Sequence, residues 1–143
     1  MGLIKYQKRL KQIIDYTGIE FANIHPSDID GVLEFDNKYL FLLEFKHQNV
    51  KPKNINDFNN DGQNIMLKRI VDSWQSCKDK EGFVAYIYHD TKSDENIPAE
   101  NTIVSGYYHK GKYIAFNRGL KDFFWEIGEE YDIKKIIAKN SYI

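Results

Sequence analysis

The chain has 143 residues, a length that favours a single domain around one hydrophobic core, so residues 1–143 are treated as one domain. Its 42% of hydrophobic residues and 29% of charged residues exclude a disordered chain, and its net charge of -1 excludes a global attraction to nucleic acid or to an anionic membrane. The single cysteine excludes an intrachain disulfide, no apolar run approaches the ~20 residues of a membrane span, and the early polar N-terminus favours a cytoplasmic protein without a signal peptide.

The first half of the chain predicts one helix followed by strands. Residues 5–14 have apolar residues at roughly helical spacing, and Gly18 stands where a helix C-cap is expected. After a short apolar stretch over 19–24, the runs 29–35 and 39–45 predict two strands. The dipeptide Asp36-Asn37 between them suits the positive φ angles of a tight hairpin turn.

The second half alternates between helix and strand signals. A polar loop over 50–62 precedes a helix that starts near Gln63, and strands are predicted over 83–88, 103–108 and 112–116. A last helix is predicted over 120–137. The order indicates an α/β sandwich around a mixed central sheet. The buried stripe of the middle helix is predicted to contain Ile65, Leu67, Ile70, Val71 and Trp74, and Cys77 is expected to be buried after it.

The residues that suggest chemistry are Asp30, Glu44 and Lys46. Side chains alternate along a strand, so Glu44 and Lys46 face the same side of the sheet. A two-residue turn pairs residues whose numbers sum to 73, and a three-residue turn gives sums of 72 or 74, so Asp30 lies within one residue of facing Glu44. The side chain of Asp28 is expected on the same face of the sheet, and Asp28 is the second candidate for this position. The two carboxylates could hold one hard cation with Lys46 beside it.

A second interpretation needs no function. Glu44 and Lys46 could simply have reached the solvated end of a strand and form an ordinary salt bridge, and a triplet of this kind taken alone favours that view. Three further features together make the functional interpretation more specific than the triplet alone. They are an acid at hairpin distance, an apolar strand before Glu44, and Gln63 at the start of the next helix. His47, like His25, is typical of a hydrogen-bonded structural histidine.

The segments Ser27-Asp28-Ile29-Asp30 and Glu44-Phe45-Lys46, followed by Gln63, resemble the PD-(D/E)XK nuclease superfamily. Within it the chain looks most like small phage-type nucleases and Holliday-junction resolvases of Gram-positive bacteria. The resemblance implies a restriction-endonuclease-like α-β-β-β-α-β core, followed here by a hairpin and a helix.

The resemblance also implies a mechanism. Asp30, Glu44 and the Phe45 carbonyl would bind Mg²⁺, for which Mn²⁺ can substitute, and Lys46 would act on the attacking water. Gln63 would contact water or phosphate. The product would be a DNA nick with a 5′-phosphate, made in a bacterial or phage-infected cell during recombination, repair or processing. Junction cutting would require a homodimer, and no membrane or nucleotide cofactor is implied.

Two functional classes stay open. The first is a Mg²⁺-dependent endonuclease for branched or double-stranded DNA, and the second is a nuclease-fold module, such as a phage-encoded inhibitor, that binds without cutting. Residues expected to contact DNA phosphates are Lys8, Arg9, Lys51, Lys53, Lys68 and Arg69, although surface lysines are usually only solvated. Tyr107 and Tyr108 could stack on bases, but ordinary hairpin packing is the simpler interpretation.

Overall fold

A mixed sheet of five strands forms the centre of the computed structural model, which describes residues 14–18, 27–47 and 62–138. The strands are β1 (Gly31–Phe35), β2 (Tyr39–His47), β3 (Glu81–His89), β4 (Ile103–His109) and β5 (Lys112–Gly119), and the helices are α1 (Gly62–Gln75), α2 (Leu120–Glu130) and α3 (Lys134–Ile137). A 3₁₀ turn over Ala99–Asn101 precedes β4. The predicted α/β class and mixed sheet are confirmed.

The strands lie in the order β1-β2-β3-β4-β5. β2 and β3 are parallel, whereas the other three neighbouring pairs are antiparallel. Parallel neighbours need a long crossover, and here that connection contains α1. The carboxyl ends of β2 and β3 consequently lie side by side, with Lys46 opposite Tyr88 and His47 opposite His89.

Both faces of the sheet are covered, which explains the unbroken apolar run of β2. The even-numbered side chains Leu40 and Leu42 pack with α1 through Leu67 and Val71. The opposite face packs against the C-terminal helices, and its buried residues include Phe41, Leu43, Phe83, Ala85, Phe123, Ile127 and Ile133. The polar residues at the end of β2 therefore follow side chains that are apolar and buried on both faces of the strand.

The β1–β2 hairpin contains the predicted turn together with one additional residue. Asp36 and Asn37 have φ angles of 59° and 51°, and Lys38 N–H donates to the Phe35 carbonyl at 3.2 Å. Phe35 nevertheless pairs with Tyr39, so Lys38 is an extra residue on the β2 side. The Lys38 carbonyl instead accepts hydrogen bonds from the Trp74 indole and from the Glu81 N–H, both at 2.9 Å.

Three predictions about packing were wrong. Ile65 is 37% exposed because the buried side of α1 runs through Asn64, Leu67 and Val71. Cys77 is exposed because α1 ends at Gln75 and the cysteine lies in the following turn. The last helix is divided after Glu130, where the chain turns before α3 begins.

Several predicted elements lie outside the described residues: the helix over 5–14 except its last residue, the apolar stretch over 19–24 and most of the loop over 50–62. In the described ranges, no helix has both the length and the apolar character needed to cross a bilayer.

Candidate active site

Glu44 is a buried acid on the α1 face of β2. Only 7% of its surface is exposed, and it follows Leu40 and Leu42 on the same side of the strand. Lys46 shares that side, and its Nζ lies 3.6 Å from Glu44 Oε1. An uncompensated carboxylate in this position would be strongly unfavourable, so the lysine ammonium helps to keep the charged acid inside.

The hairpin register brings Asp30 to Glu44. Gly31, the first residue of β1, pairs with Leu43, so the next position outward sets Asp30 against Glu44. This is the register with a sum of 74, which the extra residue Lys38 produces. Asp30 Oδ2 accepts the Phe45 N–H at 2.8 Å, which confirms the predicted neighbourhood of this aspartate.

The Phe45 backbone faces the same place. Within a strand, the N–H and C=O of one residue point to the same side. Because the Phe45 N–H points to Asp30, its carbonyl oxygen also points toward the β1 side, beyond the pair formed by Gly31 and Leu43. The Asp30 carboxylate thus contacts the Phe45 backbone where β1 begins, and Glu44 is the residue before Phe45 in β2.

Gln63 connects α1 to this end of the sheet. Its side-chain nitrogen donates to Glu44 Oε2 at 3.2 Å and also to the backbone carbonyl of Asp28. Gln63 therefore orients the Glu44 carboxylate and fixes the chain segment that carries Asp30. Asp28 contacts Gln63 through its main-chain carbonyl, whereas Asp30 contacts Phe45 through its carboxylate.

A buried hydrogen bond next to Gln63 connects the first turn of α1 to β3. Tyr86 of β3 donates its hydroxyl to Asn64 Oδ1, and both residues are almost fully buried. Burial is the largest cause that raises the pKa of Tyr86 far above its ordinary value, and Tyr113, Tyr108 and Glu44 add smaller increases, while the bond to Asn64 acts in the opposite direction. Tyr86 stays protonated and remains a donor near neutral pH.

The oxygen donors at this site fit Mg²⁺. Mg²⁺ commonly takes one or two carboxylates and keeps several waters, and Asp30, Glu44 and the Phe45 carbonyl supply such a donor set. Among the residues that the structure describes, no group of three or more His, Cys, Asp and Glu side chains could hold a metal ion. Carboxylate and carbonyl oxygens are the ligands that a partly hydrated hard cation such as Mg²⁺ takes, whereas a structural zinc site is commonly built from Cys and His.

Two adjoining cavities open at the same end of the sheet. One, of about 360 Å³, is lined by Asp30, Phe45, Ile97 and Ala99. The other, of about 490 Å³, lies beside His47 and His89 and shares Ile97 with the first. The sequence pattern pointed to His25 and His47 and missed His89. The available signal was the pairing of two parallel strands, because their last residues must then be neighbours.

The predicted DNA contacts are described only in part. Arg69 is exposed on α1, and Lys68 Nζ lies 5.0 Å from the centre of the Tyr108 ring. Lys8, Arg9, Lys51 and Lys53 lie outside the described residues. Tyr107 and Tyr108 are buried hairpin residues, which agrees with the packing interpretation and not with base stacking.

No family model, curated protein or solved structure matches this chain.

Proposed function

We propose that the protein is a Mg²⁺-dependent DNA endonuclease with a restriction-endonuclease-like fold of the PD-(D/E)XK superfamily. One observation carries the proposal. Asp30 Oδ2 accepts a hydrogen bond from the N–H of Phe45, the residue that follows the buried Glu44 in β2. An acid just before β1, an acid in β2 and a lysine two residues later thus share one end of a sheet, as the superfamily motif requires.

The metal would be held by Asp30, Glu44 and the Phe45 carbonyl, with Mn²⁺ able to replace Mg²⁺. When bound, such a cation polarises a phosphate and lowers the pKa of a coordinated water. The protein's own residues contribute charge and orientation. Lys46 supplies a cation that can orient the attacking water or stabilise charge on the phosphate, and Gln63 positions Glu44 through its side-chain amide.

The substrate class proposed is branched or double-stranded DNA, cut to leave a 5′-phosphate. Cleavage of a four-way junction needs two strands to be nicked symmetrically, so a homodimer would perform it with one site in each subunit. Recombination, repair or DNA processing in a bacterial or phage-infected cell is the corresponding setting.

The test is a cleavage assay on labelled junction, flap, duplex and single-stranded DNA. Each DNA is incubated with Mg²⁺, with Mn²⁺ and with a chelator. Lys46→Ala is expected to lower the rate about 10²–10⁴-fold, because it removes the group that acts on the water or on the developing charge. Lys78→Ala is the matched control. Lys78 is exposed in the turn before β3, at the opposite end of that strand from His89, so this variant should cleave DNA at the wild-type rate.

Circular dichroism must show that both variants are folded, because Lys46 also compensates the buried Glu44. Metal-dependent cutting that is lost only in Lys46→Ala supports the proposal. Folded wild-type protein that cuts no DNA with either metal contradicts it. If such protein still binds DNA or another protein, the alternative of a non-cutting nuclease-fold module is the better description.

A further inference from the structure

Two histidines meet where the parallel strands end. His47 and His89 are register partners on β2 and β3, and their ring centres are 5.3 Å apart with an angle of 83° between the planes. The carboxyl ends of parallel strands are a common place for ligand binding in α/β proteins. This pair has no part in the proposed chemistry of Asp30, Glu44 and Lys46.

Most of the residues that line the cavity beside the pair are polar. Besides the histidines, the residues that line its roughly 490 Å³ are Thr91, Lys92, Ser93, Glu95 and Ile97. Ile97 also lines the cavity that contains Asp30 and Phe45, so the two cavities are neighbours. Along β2, His47 lies two residues beyond Phe45, a rise of about 7 Å. This step is close to the length of one nucleotide of an extended strand.

The hydrogen bond that His89 accepts indicates which ligand its ring can bind. Thr91 N–H donates to His89 Nδ1 at 3.2 Å, so Nδ1 is the acceptor and the neutral ring carries its proton on Nε2. A metal ion would need an unprotonated nitrogen, whereas a protonated Nε2 donates to an oxygen. His89 is therefore set as a hydrogen-bond donor.

The loop after β3 adds further donors. Lys92 contributes an ammonium group, and Thr91 and Ser93 contribute hydroxyls. Glu95 N–H donates to the Lys92 carbonyl at 3.0 Å, which closes the turn that carries both charges. Glu95 is the one acid among the residues that line this cavity. The balance of donors favours a ligand rich in acceptor oxygens.

We propose that this cavity binds a backbone phosphate of the DNA strand, one nucleotide away from the phosphate that is cut. The inference rests on the proposed nuclease function and assigns the path of the strand from the Asp30 cavity across Ile97 to His89 and Lys92. The test therefore measures binding with a chelator present, where no cleavage occurs.

The first measurement is an NMR titration of the histidine imidazoles with inorganic phosphate. Signals of His47 and His89 are expected to shift, while His109, which is buried and bonded through both nitrogens, serves as the internal reference. If His47 and His89 do not respond to phosphate, the inference is wrong. If they respond to Zn²⁺ and not to phosphate, the cavity is a metal site and the inference is also wrong.

The second measurement compares DNA affinity among variants. His89→Ala and Lys92→Ala are each expected to weaken binding about tenfold, because each removes a donor to a charged oxygen. Glu95→Gln should strengthen binding about two- to fivefold, since it removes a repelling carboxylate. Lys78→Ala is the matched loss of one lysine at the other end of β3 and should bind normally.

These outcomes separate the inference from the proposed function. Wild-type protein that does not cut, but whose affinity follows the pattern above, would contradict the nuclease proposal and support the phosphate site. If the wild-type protein cuts DNA, but His89→Ala and Lys92→Ala bind DNA like the control, the nuclease proposal is supported and the proposed phosphate site is wrong. Weaker binding in Glu95→Gln would also overturn it, because the Glu95 carboxylate would then support DNA binding instead of repelling a phosphate.

Discussion

Asp28 and Asp30 are two residues apart, yet they meet the rest of the site through different atoms. Asp30 uses its carboxylate to accept the Phe45 N–H, and Asp28 uses its main-chain carbonyl to accept from Gln63. The side chain of Asp30 is thus fixed beside the Phe45 backbone, whereas the Asp28 contact does not depend on the identity of its side chain. This difference makes the metal ligand a question that two single substitutions can answer.

Asp30→Asn is expected to lower Mn²⁺ affinity at least about tenfold and to reduce cleavage to background, because it removes one of two negative charges from the donor set. The amide oxygen of asparagine can still accept the Phe45 N–H, so the fold should be retained. Asp28→Asn, the matched control, should stay within about twofold of wild type by calorimetric Mn²⁺ titration. Loss of metal binding in Asp28→Asn alone would show that the wrong aspartate was assigned.

Gln63 is expected to act as a positioning residue through Glu44. Gln63→Ala removes the donor to Glu44 Oε2 and to the Asp28 carbonyl, and substitutions of this kind typically cost 10–100-fold in metal affinity. The measurement is the Mn²⁺ dissociation constant, compared with Ser73→Ala on the exposed side of the same helix. An unchanged constant in Gln63→Ala would limit this glutamine to a structural role.

The sequence allowed part of this site to be predicted, because its rules are local. Alternation along β2 and a short turn at Asp36-Asn37 were enough to bring Asp30 to Glu44 within one residue. The sequence left a two-residue and a three-residue turn open and could not choose between them, since the bonds of the extra residue Lys38 to Trp74 and Glu81 come from distant parts of the chain. His89 was missed for the same reason.

At the scale of elements, the β4–β5 hairpin depends on one close backbone approach. The register between these strands shifts between Val104 and Gly106. A Cβ atom on Gly106 would lie only 2.7 Å from the Ile114 carbonyl oxygen and would also collide with the Tyr113 hydroxyl. The space beside Gly106 is thus already filled by the neighbouring strand.

Gly106→Ala is expected to lower the free energy of unfolding by about 1–3 kcal/mol, because a backbone atom cannot move aside as easily as a flexible side chain. Urea denaturation measures the change. The control is Gly62→Ala at the start of α1, where an added Cβ meets no atom within 4 Å, and there stability should be unchanged or slightly raised. Equal stability of Gly106→Ala and wild type would mean that β4 and β5 can move apart enough to accommodate the added methyl group without loss of stability.

The elements with strong periodicity were predictable and the breaks between them were not. The apolar runs of β2 and β3 predicted two strands, and these runs are unbroken because helices cover both faces of the sheet. The break between α2 and α3 has no proline or glycine at its turn; Asp132 adopts a φ of 52°, and Ile133 N–H returns to the Gly128 carbonyl at 2.8 Å. Side-chain packing against Gly128 selects this turn, and such packing is not visible in a local pattern.

At the scale of the whole molecule, tyrosines connect the layers on both faces of the sheet. On the α1 side, Tyr108 donates its hydroxyl to Asp72 at 2.7 Å. Burial, followed by this bond and by the negative charge of Asp72, raises the pKa of Tyr108 to about 12. On the opposite side, burial is the main cause that raises the pKa of Tyr131 to about 12, and the hydroxyl of Tyr131 lies 2.8 Å from His109 Nε2.

The folded protein is therefore expected to lose stability as the pH rises from about 10 to about 12. An unfolded tyrosine releases its proton near 10, while Tyr108 and Tyr131 in the folded state keep theirs, so the unfolded state binds fewer protons in this window and gains stability relative to the folded state. Below pH 10 the contribution of both tyrosines is fully present. Urea denaturation at a series of pH values measures the slope of the unfolding free energy.

Tyr108→Phe provides the comparison for this pH dependence. Phenylalanine has no proton to release, so the decline between pH 10 and 12 should become shallower, although the variant is less stable at neutral pH because Asp72 loses its hydrogen bond. Tyr16→Phe is the control, since Tyr16 is exposed and should leave the slope as it is in wild type. A slope that Tyr108→Phe leaves unchanged would mean that alkaline unfolding begins elsewhere, and that the contact between β4 and α1 does not limit the stability of the sheet.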